Sequence, residues 1–206
     1  MKVKLCGFSE ENSLQVAVEE NCDFLGFVFV ANSPRFVTPE KAAEISHNLP
    51  SSIKRVAVVM DADFDFISKI VKEFSPDFFQ FHGNENKDFL KKFRQKFPHI
   101  KIIKAFSIHS SQDLKQVDDF EEVADLFLFD GKNPGSGKQF DWKILENFIC
   151  KKPWFLSGGL NIDNIDEALK ITRATMVDLS SGIEKTRGKK SEELIHEFMK
   201  KIKEYV

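Results

Sequence analysis

Cysteine, tyrosine and tryptophan are scarce in this chain, with three, one and two copies among 206 residues. Cys6, Cys22 and Cys150 are too few and too scattered for a disulfide framework, and their odd number points to reduced thiols. No cysteine pair has Cys-x-x-Cys spacing and the five histidines lie far apart, so no metal site is indicated. An excess of one charge is missing too: 30 Lys+Arg face 32 Asp+Glu, which leaves no electrostatic footprint for a nucleic acid. A local basic patch for one or two phosphates is compatible with that balance. No apolar run approaches the roughly eighteen residues of a spanning helix, so no membrane partner is expected. MKVKLCGF enters a strand pattern at once, without a signal-peptide core, and cytoplasmic localisation is the expectation. What remains is 42% hydrophobic and 30% charged, an ordinary globular balance in which 22 phenylalanines take places that leucine fills elsewhere. The length suits one domain over 1–206.

Eight short apolar runs, β-branched or aromatic, recur at 3–6, 24–30, 53–60, 77–81, 101–106, 124–130, 153–158 and 175–180. Helical patterns lie between them. Thr38 and Pro39 open a helix over 39–49 as a cap residue followed by proline at the first helical position. Apolar residues three and four apart predict helices over 64–74, 88–97 and 162–171, and Ser191 with Glu192 and Glu193 starts a closing helix that runs to 205. Segment 110–120 is a weaker pattern and 141–149 a short one. The alternation predicts an α/β fold, a (β/α)8 TIM barrel of the phosphate-binding type, with economical loops against the roughly 250 residues usual for it. An open doubly wound sheet is the rival. It places a glycine-rich cradle after its first strand, where this chain has only Gly7, whereas the glycine-rich pieces here follow the sixth, seventh and eighth strands.

In a barrel the carboxyl ends of all strands meet on one face. Cys6 ends the first strand there, either as a small buried residue or as a reactive thiol, and Lys4 on the same strand face favours the thiolate if close enough. Asp130 ends an apolar run, a poorly solvated place where a carboxyl group can hold a proton; capping a helix or pairing with Lys132 explains it equally. Base and nucleophile cannot be told apart for the thiol. Arg35, after Pro34 in the second loop, offers a planar guanidinium to a carboxylate or stands in solvent. Gln80 and His82 alternate with Phe79 and Phe81 and share a face at the end of the fourth strand. Gly158, Gly159 and Asn161, and then Ser180, Ser181 and Gly182 one strand later, read as a phosphate cradle between the last two strands. Two proton-transfer groups without a nucleotide motif suggest an isomerase or a lyase.

These motifs, in this order, resemble the phosphoribosylanthranilate isomerase family of tryptophan biosynthesis over nearly the whole chain. The resemblance is carried by VKLCG, LGFVF with SPRFV, FFQFHGNE, IIKAF, LFLFDG with GSGKQFDW, FLSGGLNIDNI and VDLSSGIE. It implies a (β/α)8 barrel that performs an Amadori rearrangement on a phosphorylated small molecule without metal or organic cofactor. It makes Cys6 the general base, Asp130 the general acid and Arg35 the partner of the anthranilate carboxylate. It puts the phosphate near Gly159, Asn161, Ser181 and Gly182, and has Asp178 organise the site. Monomer and homodimer are both open.

Two departures stand out. Many members carry threonine and arginine after the first-motif glycine, whereas this chain has Phe8, Ser9 and Glu10, and Glu10 is expected to repel an anionic substrate at close range. The sixth loop, 132–139, is shorter than in many relatives. Another sugar-phosphate isomerase or synthase on the same barrel, or a binding protein that lost turnover, are the rival functions.

Overall fold

Strand residues alternate between two environments, and this decides the architecture. A computed structural model of the chain describes residues 1–131 and 140–205. Eight parallel strands, β1 (Lys2–Cys6), β2 (Phe24–Val28), β3 (Lys54–Val59), β4 (Phe78–Phe81), β5 (Lys101–Ser107), β6 (Leu126–Asp130), β7 (Trp154–Leu156) and β8 (Met176–Leu179), close into a barrel in sequence order. Closure is made by β8 returning to β1, with Lys4 in register with Asp178 on one side and Phe24 on the other. The (β/α)8 expectation holds, and the open sheet does not.

One residue parity points into the barrel. Phe24, Val56, Val58, Phe78, Ile103, Ala105, Leu128, Phe155 and Met176 form the interior cluster, while the opposite parity, including Phe79, Phe81, Phe127 and Phe129, packs outward under the helices. Phe24 meets Phe78 and Phe155 edge-on at centroid distances of 5.5 and 5.2 Å. Each such pair contributes about 0.5–1.5 kcal/mol beyond area burial. Phe24 and Phe78 open their strands and Phe155 is the second residue of its own, so the rings fill the barrel interior towards its amino end. Polar inward positions are left for the carboxyl end.

The helices are α1 (Glu11–Glu19), α2 (Pro39–Ile45), α3 (Phe64–Phe74), α4 (Lys87–Lys96), α5 (Ile165–Thr172) and α6 (Glu192–Ile202). Thr38 caps α2 by accepting from the Lys41 amide, and Ser191 caps α6 through Leu194, as the sequence predicts. Helix α1 has no counterpart among those expectations, because Glu10 makes no side-chain cap and few residues, among them Leu14 and Ala17, form its buried face. Helix α5 starts three residues after the expected 162, since Asn161 Oδ1 accepts from the Asp163 and Asn164 amides and holds a turn there. The weak segment after β5 is 3₁₀ over Ser111–Phe120, and the short one after β6 is 3₁₀ over Trp142–Leu145. A hairpin of β9 (Glu184–Thr186) and β10 (Lys189–Lys190), unforeseen in the sequence, lies between β8 and α6. Lys132, expected as a partner of Asp130, and the short sixth loop lie outside the described residues. Among the described residues, no helix is long and apolar enough to cross a membrane.

Candidate active site

At the carboxyl end of the barrel a cavity of about 270 Å³ is lined by Cys6, Arg35, Gln80, His82, Asp130, Gly158, Gly159, Asp178, Ser180 and Ser181. These residues come from β1, β4, β6 and β8 and from the loops that follow β2, β4, β7 and β8. Ten of the twelve residues that the sequence nominates therefore share one wall, and the remaining two support it. Asn161 spends its side chain and amide on the turn that opens α5. Gly182 lies where a Cβ would come within 2.0 Å of the Leu160 carbonyl oxygen, so glycine lets the turns after β7 and β8 pack backbone to backbone.

Cys6 owes its position to Gly26. A Cβ at that position of β2 would sit 2.6 Å from the Cys6 Sγ, so the neighbouring strand must be bare there. Burial pushes the Cys6 thiol up, and the nearby Lys4 and Lys190 ammonium groups offset this only in part. Lys4 is fully buried inside the barrel and donates to Asp178 Oδ1 at 2.8 Å. Burial opposes its charge, but Asp178 and Cys6 outweigh that and hold it above the usual lysine range. Ser157 donates to the other Asp178 oxygen at 3.3 Å. The pair thus sets a fixed cation beneath the thiol, as the shared strand face suggested.

On β6, three steps round the ring from β1, Asp130 accepts from the Gly131 amide at 2.7 Å. Gly158, at φ +91°, leaves its Cα side open to Asp130 Oδ1, which a Cβ would approach to 2.9 Å. Gln80 Nε2 lies 3.0 Å from His82 Nδ1, and His82 Nε2 lies 3.5 Å from Asp130 Oδ2. That last separation is within ion-pair range, yet His82 Nε2 has no hydrogen-bond partner among the described residues; the same is true of Gln80 Oε1. Both residues line the cavity.

Arg35 is held more firmly than its loop position suggests. Its Nε and Nη2 donate to the two oxygens of Glu184 at 2.6 and 2.9 Å, 149 residues away in sequence. Gly7, at φ +90°, admits the arginine stem, since a Cβ there would meet Arg35 Cδ at 2.6 Å. Lys190 donates to Glu184 at 2.9 Å and to the Ser180 carbonyl oxygen at 2.9 Å. Burial would raise the Glu184 carboxyl group, but Arg35 and Lys190 hold it below the usual range. Burial pulls Lys190 down despite Glu184. Glu184, Lys190 and Arg187, the last of which also lines the cavity, are missing from the sequence reading. Glu184 closes the VDLSSGIE motif and charges cluster around Gly188, but neither signal gave these residues a role.

Glu10 departs from expectation. It does not line the central cavity but faces a surface cleft with Lys41, Lys185 and Glu192. The positive φ of Gly7 and the full burial of Phe8 carry the chain outward before Glu10 is reached. Among the described residues, no group of three or more His, Cys, Asp or Glu is arranged to hold a metal ion.

A parallel eight-stranded barrel with a thiol, a carboxyl group and two glycine turns at one rim has the makeup of an enzyme that moves protons on a small phosphorylated molecule. The chain belongs to the N-(5'-phosphoribosyl)anthranilate isomerase family, whose model matches residues 3–201. It is 38% identical over 208 residues to the N-(5'-phosphoribosyl)anthranilate isomerase of Zymomonas mobilis subsp. mobilis, covering 98% of each chain. The phosphoribosyl anthranilate isomerase crystal structure from Thermotoga maritima superimposes with a TM-score of 0.90 at 33% identity, over 99% of both chains. A phosphoribosyl anthranilate isomerase in complex with reduced 1-(o-carboxyphenylamino)-1-deoxyribulose 5-phosphate matches at a TM-score of 0.86 and 30% identity, again over 99% of both.

Proposed function

We infer that the protein converts N-(5'-phosphoribosyl)anthranilate into 1-(2-carboxyphenylamino)-1-deoxyribulose 5-phosphate, the Amadori step of tryptophan biosynthesis. The observation that carries this reading is the meeting of Cys6, Asp130, Arg35 and both glycine turns on one cavity in a chain of this family. Asp130 gives a proton to the ribose ring oxygen, and the ring opens to a protonated Schiff base. Cys6, as thiolate, takes the proton from C2, and the electron pair moves into the imine to form an enolamine. Proton return to C1 with loss of the hydroxyl proton at C2 leaves the ketone. The protonated imine is itself the electron sink, so neither metal nor organic cofactor is needed. Arg35, oriented by Glu184, receives the ring carboxylate. Gly159 and Ser181 stand at the phosphate end, with Gly182 and Asn161 shaping the turns behind them. The cytosol is the compartment this reading assigns, in keeping with three unpaired cysteines.

Purified protein given enzymatically made N-(5'-phosphoribosyl)anthranilate is expected to consume it with stoichiometric appearance of the ketose, followed by NMR. Persistence of the aminoaldose overturns the reading. Turnover is expected to be unchanged after dialysis against chelator; a loss that added metal restores overturns the cofactor-free mechanism.

A phosphate-free analogue of the product is expected to bind at least about a hundredfold more weakly by calorimetry, because several charge-assisted bonds are lost together. Equal affinities remove the cradle from the site.

A further inference from the structure

We propose that Arg187, on the turn of the β9–β10 hairpin, is a specificity-determining residue that reads the aryl carboxylate of the substrate together with Arg35. This rests on the function proposed above and adds a residue to it. The argument begins with charge. Two aspartates and two arginines of the described chain line the cavity, namely Asp130, Asp178, Arg35 and Arg187. Lys4 neutralises Asp178, and Glu184 takes Arg35 in a two-point ion pair. A ligand carrying both a phosphate and a carboxylate brings more negative charge than this balance answers. Arg187 is the lining arginine with no carboxylate partner among the described residues.

The hairpin that carries it is fixed. Gly188, at φ +86°, lies where a Cβ would come within 2.4 Å of the Pro34 carbonyl oxygen, so the hairpin turn rests against the loop that holds Arg35. The Gly188 amide donates to Glu184 Oε2 at 3.1 Å, and the buried Lys190 donates to Glu184 Oε1. The strand that follows Arg187 is thereby tied to Glu184, the carboxylate on the strand before it that orients Arg35. The contact with Pro34 sets the Arg187 turn beside the loop that carries Arg35. Phosphate recognition belongs to the glycine turns, and carboxylate recognition to the two arginines. Arg187 thus supplies a second arginine to the cavity, from the hairpin rather than from the loop that holds Arg35.

The test compares Arg187→Ala and Arg187→Lys with the unaltered protein on two substrates, phosphoribosylanthranilate and the phosphoribosyl adduct of aniline, which lacks the carboxylate. For Arg187→Ala, KM on the carboxylated substrate is expected to rise about tenfold with kcat little changed, as when binding common to ground and transition states is removed. The lysine variant should recover part of the loss. On the aniline adduct, the alanine variant should match the unaltered protein, and the inhibition constant for inorganic phosphate should not move. Equal penalties on both substrates, weaker inhibition by phosphate, or no penalty at all would each overturn the proposal. If the unaltered protein fails to turn over phosphoribosylanthranilate, the proposed function falls; if it is active and Arg187→Ala equals it, this inference alone falls.

Discussion

Cys6→Ala is expected to lower kcat by about 10²–10⁴-fold, the usual worth of one positioned proton-transfer group. Gly26 and the Lys4–Asp178 pair hold the thiol against the cavity, and none of these contacts is replaced when the sulfur is removed. Cys6→Ser should fall with it, because an unactivated hydroxyl is a far poorer source of a base than a thiol. The pH profile gives a second readout. The working form is the thiolate, and burial raises the thiol more than Lys4 and Lys190 lower it. In the unaltered protein kcat/KM should therefore climb with pH into the alkaline side of the ordinary thiol range, and this limb should vanish in the alanine variant. Full activity of Cys6→Ala, or an unchanged limb, would assign the base elsewhere.

Asp130→Asn is expected to cost a similar factor by a different step. Asparagine keeps the shape and can still accept from the Gly131 amide, and the close fit of Gly158 over this side chain leaves the glycine turn undisturbed. What it lacks is an acidic proton for the ring oxygen. kcat and kcat/KM should fall together, with KM near its original value. Substrate deuterated at C2 separates the two groups. With ring opening slowed in Asp130→Asn, the isotope effect should shrink towards unity, whereas in Cys6→Ala it should be fully expressed. A large isotope effect in the asparagine variant would move Asp130 away from ring opening.

Much of the fold is legible because it is written in local contacts. Thr38 with Pro39, and Ser191 with Glu192 and Glu193, mark helix starts through bonds that span three residues. Period-two alternation separates Gln80 from Phe79 and Phe81. Where local signals are weak, the reading fails: α1 has no side-chain cap, and α5 is delayed by a turn built on Asn161. Arg35 offered a guanidinium suited to a carboxylate or left in solvent, and the carboxylate it meets, Glu184, lies 149 positions away, beyond the reach of any local pattern.

Sequence alone determined that Lys4 shares a strand face with Cys6 and Gln80 with His82, and that the strands end in a thiol, a carboxyl group and glycine turns, because strand parity and turn chemistry depend only on near neighbours. Tertiary structure decided which charges remain available to a ligand. Ring closure sets Lys4 on β1 against Asp178 on β8, and the β9–β10 hairpin returns Glu184 to Arg35. Cancellation of buried charge acts through space between segments that only the closed barrel brings together.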